Sequence, residues 1–378
     1  MEDFALLAGL GLTRFRTSIE WARLEPIEGF HDAEAVEHAR NVLTAARDAG
    51  LAPWVCLHHR STPGWFADDL GGFADERART YHWARHVDWM AETFGHLVEG
   101  WFGINQPVNV AAHGWFMGEM PPGNADPAAF VRNLEALYLA NHVAWRLLRG
   151  GGAPVATIMN LHPLCAADPD DDTPGARAAA EAVAQSYDDV IWNTWIRALR
   201  DGVIALPGRP PVELPDLAGS FDLIGFSYYS AVCAEADGST TRGWPQGRPV
   251  DQFGRSVWPE GMGLTLRRLA NELPGRPLVI AETGVATSDD RLRATALDAT
   301  FSEVADAVHD GVDVRGLFLW SPIDAWEWES GFDATFGVAD LARTLRPSAK
   351  VVRDWTHHPD SPTAAAPGGR QRGPTPSR

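Results

Sequence analysis

The chain has 378 residues, of which 45% are hydrophobic and 10% aromatic, and its formal net charge is −18. That charge argues against nucleic acid and anionic membrane surfaces as partners, because both call for a basic face. No run of about 18 apolar residues is present to cross a bilayer as a helix.

The length allows two average domains, but an α/β barrel commonly runs from roughly 200 to over 400 residues as one unit. Three cysteines, Cys56, Cys165 and Cys233, are odd in number and lack CxxC spacing. They predict a reduced, cytoplasmic protein with neither a disulfide framework nor a zinc site. The N-terminus, Met-Glu-Asp-Phe, lacks the basic-then-apolar form of a signal peptide.

Short apolar runs alternate with helical stretches, the pattern of repeated βα units around a parallel sheet. Phe4 to Leu7 sit in a short helix that ends near Gly9-Leu10-Gly11. Residues 12–18 follow as a strand. Asp32 caps a helix with Val36, Ala39, Leu43 and Ala46 on one face, and Gly50 stops it. Residues 53–57 form the next strand, ending in His58-His59. Trp83, Val87, Met90 and Phe94 mark an amphipathic helix closed by Gly100.

Residues 101–104 then form a strand that stops at Asn105-Gln106-Pro107, since proline cannot donate to a sheet ladder. Asp126-Pro127 opens a further helix, with proline at its first position. Strands are predicted at 155–159 and 221–226, separated by a long helical stretch through Ile191 and Trp195. Residues 231–262, rich in Gly and polar side chains, read as a large loop over one face. A short helix through Leu264 and Leu269 leads to a strand at 278–282. A helix near 292–308 precedes the last strand, at 314–320. We expect residues 1–356 to form one domain and 357–378, which are Pro-, Gly-, Ala- and Arg-rich, to be a disordered tail.

This gives about seven strands. An eight-stranded barrel needs one more before Leu12, where only eleven residues stand. Either the sheet is a different, open one, or Met1 is an internal methionine.

The polar residues concentrate at strand ends: Arg16 and Ser18, His58 and His59, Asn105 and Gln106, Asn160, Ser227 and Tyr229, Glu282, and Trp320. In a (β/α)₈ barrel those C-terminal ends carry the active site. Trp65, Trp101, Trp115, Trp320, Trp326 and Trp328 fall near the same exits. Flat aromatic faces suit the C–H faces of a pyranose, and His, Asn, Arg and Glu serve its hydroxyls. Trp101 reads as core, Trp320 and Trp328 as site. Adjacent His58 and His59 point to opposite faces of a strand, and no Cys or carboxylate is spaced to complete a metal set with them.

These residues resemble glycoside hydrolase family 1, the β-glucosidase and β-galactosidase type of barrel enzyme. Arg16-Thr-Ser-Ile-Glu-Trp21-Ala-Arg23 resembles that family's RFSISWSR, and Leu57-His58-His59 its LHHF. Trp101 to Pro107 is similar to W-x-T-x-NEP, Gly225 to Tyr229 to GINYY, and Ile280 to Gly284 to ITENG. Trp320-Ser321, Asp324, Glu327-Trp328 and Phe336-Gly337 are similar to WSLxDNFEW…RFG.

The resemblance implies a TIM (β/α)₈ barrel acting on β-glycosides or oligosaccharides without a cofactor or metal. It places Glu282 on the catalytic nucleophile and Gln106 on the acid/base glutamate. His59, Asn105, Trp320, Glu327 and Trp328 fall on contacts to the non-reducing sugar. Tyr229 and Arg16 fall on groups that support the nucleophile.

Three departures stand out. Retaining hydrolysis uses two carboxyls roughly 5–5.5 Å apart, one attacking the anomeric carbon and one protonating the leaving oxygen. Gln106 has no proton to give, so a factor of roughly 10²–10⁴ is lost for ordinary leaving groups. O- or S-glycosides whose leaving group departs unprotonated escape that loss, as do transglycosylation from activated donors and plain sugar binding without turnover. Ser227 and Thr283 replace two asparagines around the sugar and nucleophile. The family's first strand, with its sugar-binding Gln, has no counterpart, which predicts a gene model truncated at its start.

Overall fold

The computed structural model describes residues 2–167, 175–358 and 361. The chain opens on α1 (Glu2–Gly9), then β1 (Arg14–Ser18), α2 (Trp21–Leu24), α3 (Ala33–Asp48), β2 (Ala52–His58), α4 (Ala84–Phe94) and β3 (Gly100–Ile104). There follow α5 (Pro107–Ala111), α6 (Pro127–Leu148), β4 (Val155–Ala156), β5 (Met159–Asn160), β6 (Leu164–Ala166), α7 (Ala176–Asp188) and α8 (Thr194–Asp201). After a ribbon of β7 (Val203–Ile204) and β8 (Val212–Glu213) come β9 (Ile224–Ser227), β10 (Val232–Ala234) and β11 (Thr240–Thr241). The chain closes with α9 (Glu260–Glu272), β12 (Leu278–Thr283), α10 (Asp290–His309), β13 (Val314–Leu319) and α11 (Ala349–Thr356).

The caps follow from the sequence. The Asp32 side chain accepts from the N–H of Glu34 and Ala35, and Asp126 accepts from Ala128 ahead of Pro127. Both satisfy donors that a helix leaves unpaired at its start. Gly100 does not close a helix as expected: α4 runs out at Phe94, and Gly100 begins β3 with the Trp54 side chain lying where a Cβ would sit.

The central strands are all parallel. They run in the order β1-β2-β3-β4 and then β5-β9-β12-β13. β4 and β5 are two pieces of one strand, and a bridge from Ala156 to Leu223 links the halves, so seven strand positions form a continuous wall. The fold is the TIM barrel the sequence leads one to expect, with the seven strands counted there. Among the described residues no strand pairs with the outer edges of β1 and β13.

Alternation sorts the side chains into two layers. Trp54, Cys56, Phe102, Ala156, Ile158, Val279, Ala281 and Phe318 fill the barrel interior. Val55, Leu57, Trp101, Ile104, Phe226 and Ile280 face outward into the main core under the helices. Fully buried Leu, Ile and Phe side chains each contribute roughly 1.5–3 kcal/mol, so both layers hold the wall rigid beneath the site.

Two expectations are corrected. Residues 231–262 are not only a loop: β10 pairs parallel with β6 and antiparallel with β11, making a small three-stranded sheet outside the barrel. The same pairing sets Cys233 directly opposite Cys165, and the two form a disulfide with their Cα atoms 4.6 Å apart. Sequence spacing could not show this, because the partners are 68 residues apart and meet only through strand register. Only Cys56 is free and buried, so cysteine usage no longer supports a reduced compartment. No described helix is long and apolar enough to cross a membrane. The tail expected to be disordered lies outside the described residues, apart from His357, His358 and Ser361.

Candidate active site

The strand ends converge on Glu282, which is 4% exposed. Strict alternation along β12 would send Glu282 outward with Leu278 and Ile280. The register against β9 shifts between Ile280 and Glu282, and such a bulge re-aims the following side chain. Gly284 follows, and a Cβ there would run into the carbonyl of Trp320. Only glycine lets the two strand ends approach so closely.

Three donors hold the Glu282 carboxylate. Arg16 Nη1 donates to Oε1 at 2.7 Å, while Tyr229 OH and Gln106 Nε2 donate to Oε2 at 3.0 and 2.7 Å. Arg16 and Glu282 are 6% and 5% exposed in their side chains. Burial opposes the Arg16 charge, yet Glu282 beside it holds its pKa above the ordinary value. Arg16 also donates to Asn105 Oδ1 at 2.8 Å and lies 5.5 Å from the Phe102 ring centroid. Burial and the Glu282 charge push the Tyr229 hydroxyl well above its usual range, which keeps it a neutral donor.

Gln106 reaches Glu282 from β3 through an unusual backbone. Its φ of 43° and ψ of 64° lie in the left-handed region, which costs a non-glycine residue about 1–3 kcal/mol. Pro107 then starts α5 at once. The Gln106 amide donates to Ser227 Oγ at 2.9 Å as well as to Glu282. Asn109, one helical turn on, donates to Gln106 Oε1 at 3.0 Å and accepts from Asn160 at 3.0 Å. This chain of amides fixes the orientation of Gln106.

A cavity of about 380 Å³ opens above this floor. His59 lines it and stacks with Trp320 at 5.8 Å, whereas His58 packs edge-on to Phe73 in the core, so only one of the pair reaches the site. Burial, with the Arg16 and Arg60 charges adding, pushes His59 down to about 3. Trp320 Nε1 donates to Glu327 Oε1 at 2.9 Å, and burial raises the Glu327 carboxyl above its usual value. Trp328, 49% exposed, lines the mouth with Trp326 packed on it at 5.1 Å. Beneath, Asp324 accepts from Gly337 N at 2.8 Å and pairs with Arg346.

Every residue assigned from the resemblance therefore lies in or under one cavity. Some residues assigned to strand exits do not reach it. Trp65 packs on Trp21 in the core, Trp101 is 2% exposed under the helices, and Ser18 donates to Glu20 away from the cavity. Sequence reasoning missed Asn109, whose signal was its three-residue step from Gln106. It also missed Arg60, His113, Phe116, Met117, Arg242 and Glu329 on the rim. Among the described residues no cluster of His, Cys, Asp and Glu is placed to hold a metal.

A parallel barrel with a carboxylate held by Arg and Tyr at its C-terminal face, under an aromatic cavity, defines the class of barrel glycoside hydrolases. The profile described as "Glycosyl hydrolase family 1" matches residues 1–357, and the chain belongs to that family. It is 29% identical to thermostable β-glucosidase B of Thermobispora bispora, over 88% of this chain and 73% of that protein. It is 27% identical to a bifunctional β-D-glucosidase/β-D-fucosidase of Bifidobacterium breve, over 89% of this chain and 81% of that one. A solved β-glycosidase from Pyrococcus horikoshii superposes with a TM-score of 0.83 at 28% identity, covering 94% of this chain and 83% of that chain.

Proposed function

We propose that this protein cleaves β-glycosides, O- or S-linked, through a glycosyl intermediate on Glu282, and that Gln106 restricts it to leaving groups that depart without a proton. The observation that carries this reading is the Glu282 carboxylate, held by Arg16 and Tyr229 at the floor of a cavity lined by His59, Trp320, Glu327 and Trp328.

Each group has a role in that reaction. Arg16 pairs with Glu282 and, braced on Asn105, holds it in position. Trp320, Trp328 and His59 offer faces to the pyranose ring, and Glu327 and Asn105 take its hydroxyls. The anomeric carbon would lie against Glu282, which attacks it and releases the aglycone with the bonding electrons. Water then displaces Glu282.

Gln106 keeps the shape of a glutamate at the position facing the leaving oxygen but neither donates nor removes a proton. Its amide donates directly to Glu282 Oε2 at 2.7 Å, across the gap a glycosidic bond would occupy. The amide must therefore turn aside when a sugar enters. That contact also favours a second reading, sugar binding without turnover, because it ties up the oxygen that would attack.

The two readings separate in one experiment. A 2-fluoro glycoside with a dinitrophenolate leaving group is incubated with the protein, with and without azide. The first reading expects a covalent mass increment on Glu282 and release of the glycosyl azide when azide is added. Tight binding with no adduct overturns it in favour of the second.

A further inference from the structure

Arg60 stands out on the cavity wall because, among the described residues, no carboxylate pairs with it directly. It occupies the position after His58-His59 where the family pattern LHHF carries an aromatic residue. Arg60 lines the cavity together with Gln106 and Glu282. Its only hydrogen bond among the described residues runs from Nη1 to Met120 Sδ at 3.6 Å, and a thioether is a weak acceptor. Its Nε is buried without a partner.

Glu282, Glu329 and Glu327 all act on Arg60 through space, but among the described residues none lies close enough to form an ion pair, and burial lowers its pKa. A guanidinium partly withdrawn from water without a directly paired carboxylate is costly. The cost is relieved when a ligand supplies the anion.

The location says which part of a ligand that is. Met120 ends the segment that follows Gln106 and α5, and that segment also brings His113, Phe116 and Met117 to the cavity. The position of Gln106 faces the leaving group, so this is the aglycone side. Glu329 is directed to other partners, 3.9 Å from His113 and 4.0 Å from Arg242.

We propose that Arg60 receives the carboxylate that leaves on the aglycone side, and that the substrates are β-glycosyl esters of aromatic acids. This rests on the hydrolytic reading above and names its substrate class. The guanidinium fork matches a carboxylate, and Phe116 and Met117 supply apolar surface for the ring. In the first step Glu282 forms a bond to the anomeric carbon, and the bond from that carbon to the acyl oxygen breaks. Its electron pair leaves with the carboxylate, which needs no proton from position 106. Water then attacks the anomeric carbon, frees Glu282 and gives its proton to solvent.

The test measures binding and turnover separately on the full chain. Titration calorimetry with benzoate and with benzamide should show benzoate the tighter ligand of the wild type. Arg60→Phe should weaken benzoate by roughly 10- to 100-fold while benzamide still binds, and Arg60→Lys should recover part of the loss. Equal binding of the two ligands by the wild type, or an unchanged benzoate preference in Arg60→Phe, overturns the proposal. The wild-type comparison stands even if the variant fails to fold. Turnover is then read with 1-O-benzoyl-β-glucose. Arg60-dependent benzoate binding without ester cleavage upholds the carboxylate site and counts against the hydrolytic reading. Ester cleavage that Arg60→Phe leaves untouched upholds hydrolysis and removes the role given to Arg60.

Discussion

The floor of the cavity and its rim are built on different terms. On the floor, Arg16, Asn105, Gln106, Tyr229 and Glu282 come from four strand ends, are buried or nearly so, and hydrogen-bond to one another. On the rim, Arg60 has a sulfur for a partner, Glu329 sits near 4 Å from His113 and Arg242, and Trp328 is half exposed. The floor is preorganised: its one carboxylate is held in place before substrate arrives, which is how fixed donors act most strongly in a dry site. The rim leaves polar groups for the ligand to satisfy. On the reading proposed above, the floor carries the reaction and Arg60 on the rim selects the aglycone.

The largest effect should come from altering the one floor residue that departs from retaining chemistry. Gln106→Glu should raise hydrolysis of phenyl β-glucoside by roughly 10²–10⁴-fold, since it restores a proton donor. The new carboxyl would sit beside Glu282, whose charge holds it above the usual carboxylate range. The gain should therefore fade as pH rises and that carboxyl ionises. A flat response to this substitution in steady-state rates would mean that the floor is not limited by its missing proton.

Next comes the sheet that carries the rim. Cys165 and Cys233 close a separation of 68 residues, for which chain entropy gives about 4 kcal/mol of stabilisation. Cys233→Ser should lower the denaturant midpoint accordingly, and unfolded but unreduced protein should show one titratable thiol, that of Cys56. A count of three thiols would remove the bridge.

On the floor again, Tyr229→Phe deletes one donor to Glu282 while keeping the ring edge-on to Phe336. Hydrogen bonds to a charged group contribute roughly 1.5–3 kcal/mol, so kcat/KM for an activated aryl glycoside should fall about 10- to 100-fold. Unfolding stability should move far less. If kcat/KM is unchanged, Tyr229 does not orient the nucleophile.

The smallest effect concerns His58 and His59, both pushed by burial to about 3. Unfolded histidine titrates near ~6.5. Between those values the unfolded chain binds the extra protons, so this contribution is full above pH ~6.5 and is lost as pH falls toward 3. Tm should decline on acidification across that window. His58→Phe, which keeps the contact with Phe73, should make the decline shallower.

Much of this protein was legible in its sequence. The strand runs and their polar exits are local, because alternation and breaker residues report directly on each strand. Asp32, Asp126-Pro127 and Pro107 marked ends that the structure keeps, and the short patterns from Arg16 to Gly337 named the residues that meet around Glu282.

What tertiary structure decided is what depends on register and approach between distant segments. The bulge that turns Glu282 inward arises from how β12 meets β9 and is invisible in the alternation of β12 itself. The Cys165–Cys233 bridge needed β6 and β10 to pair. The left-handed backbone at Gln106 needed β3, α5 and the amide chain through Asn109 and Asn160 together. That no described carboxylate pairs with Arg60 was visible only once Glu282, Glu327 and Glu329 had been placed. Sequence determines which groups a chain can offer at each strand end, since that information is local. Whether an offered charge is answered depends on distances across the barrel, and only the assembled fold sets those.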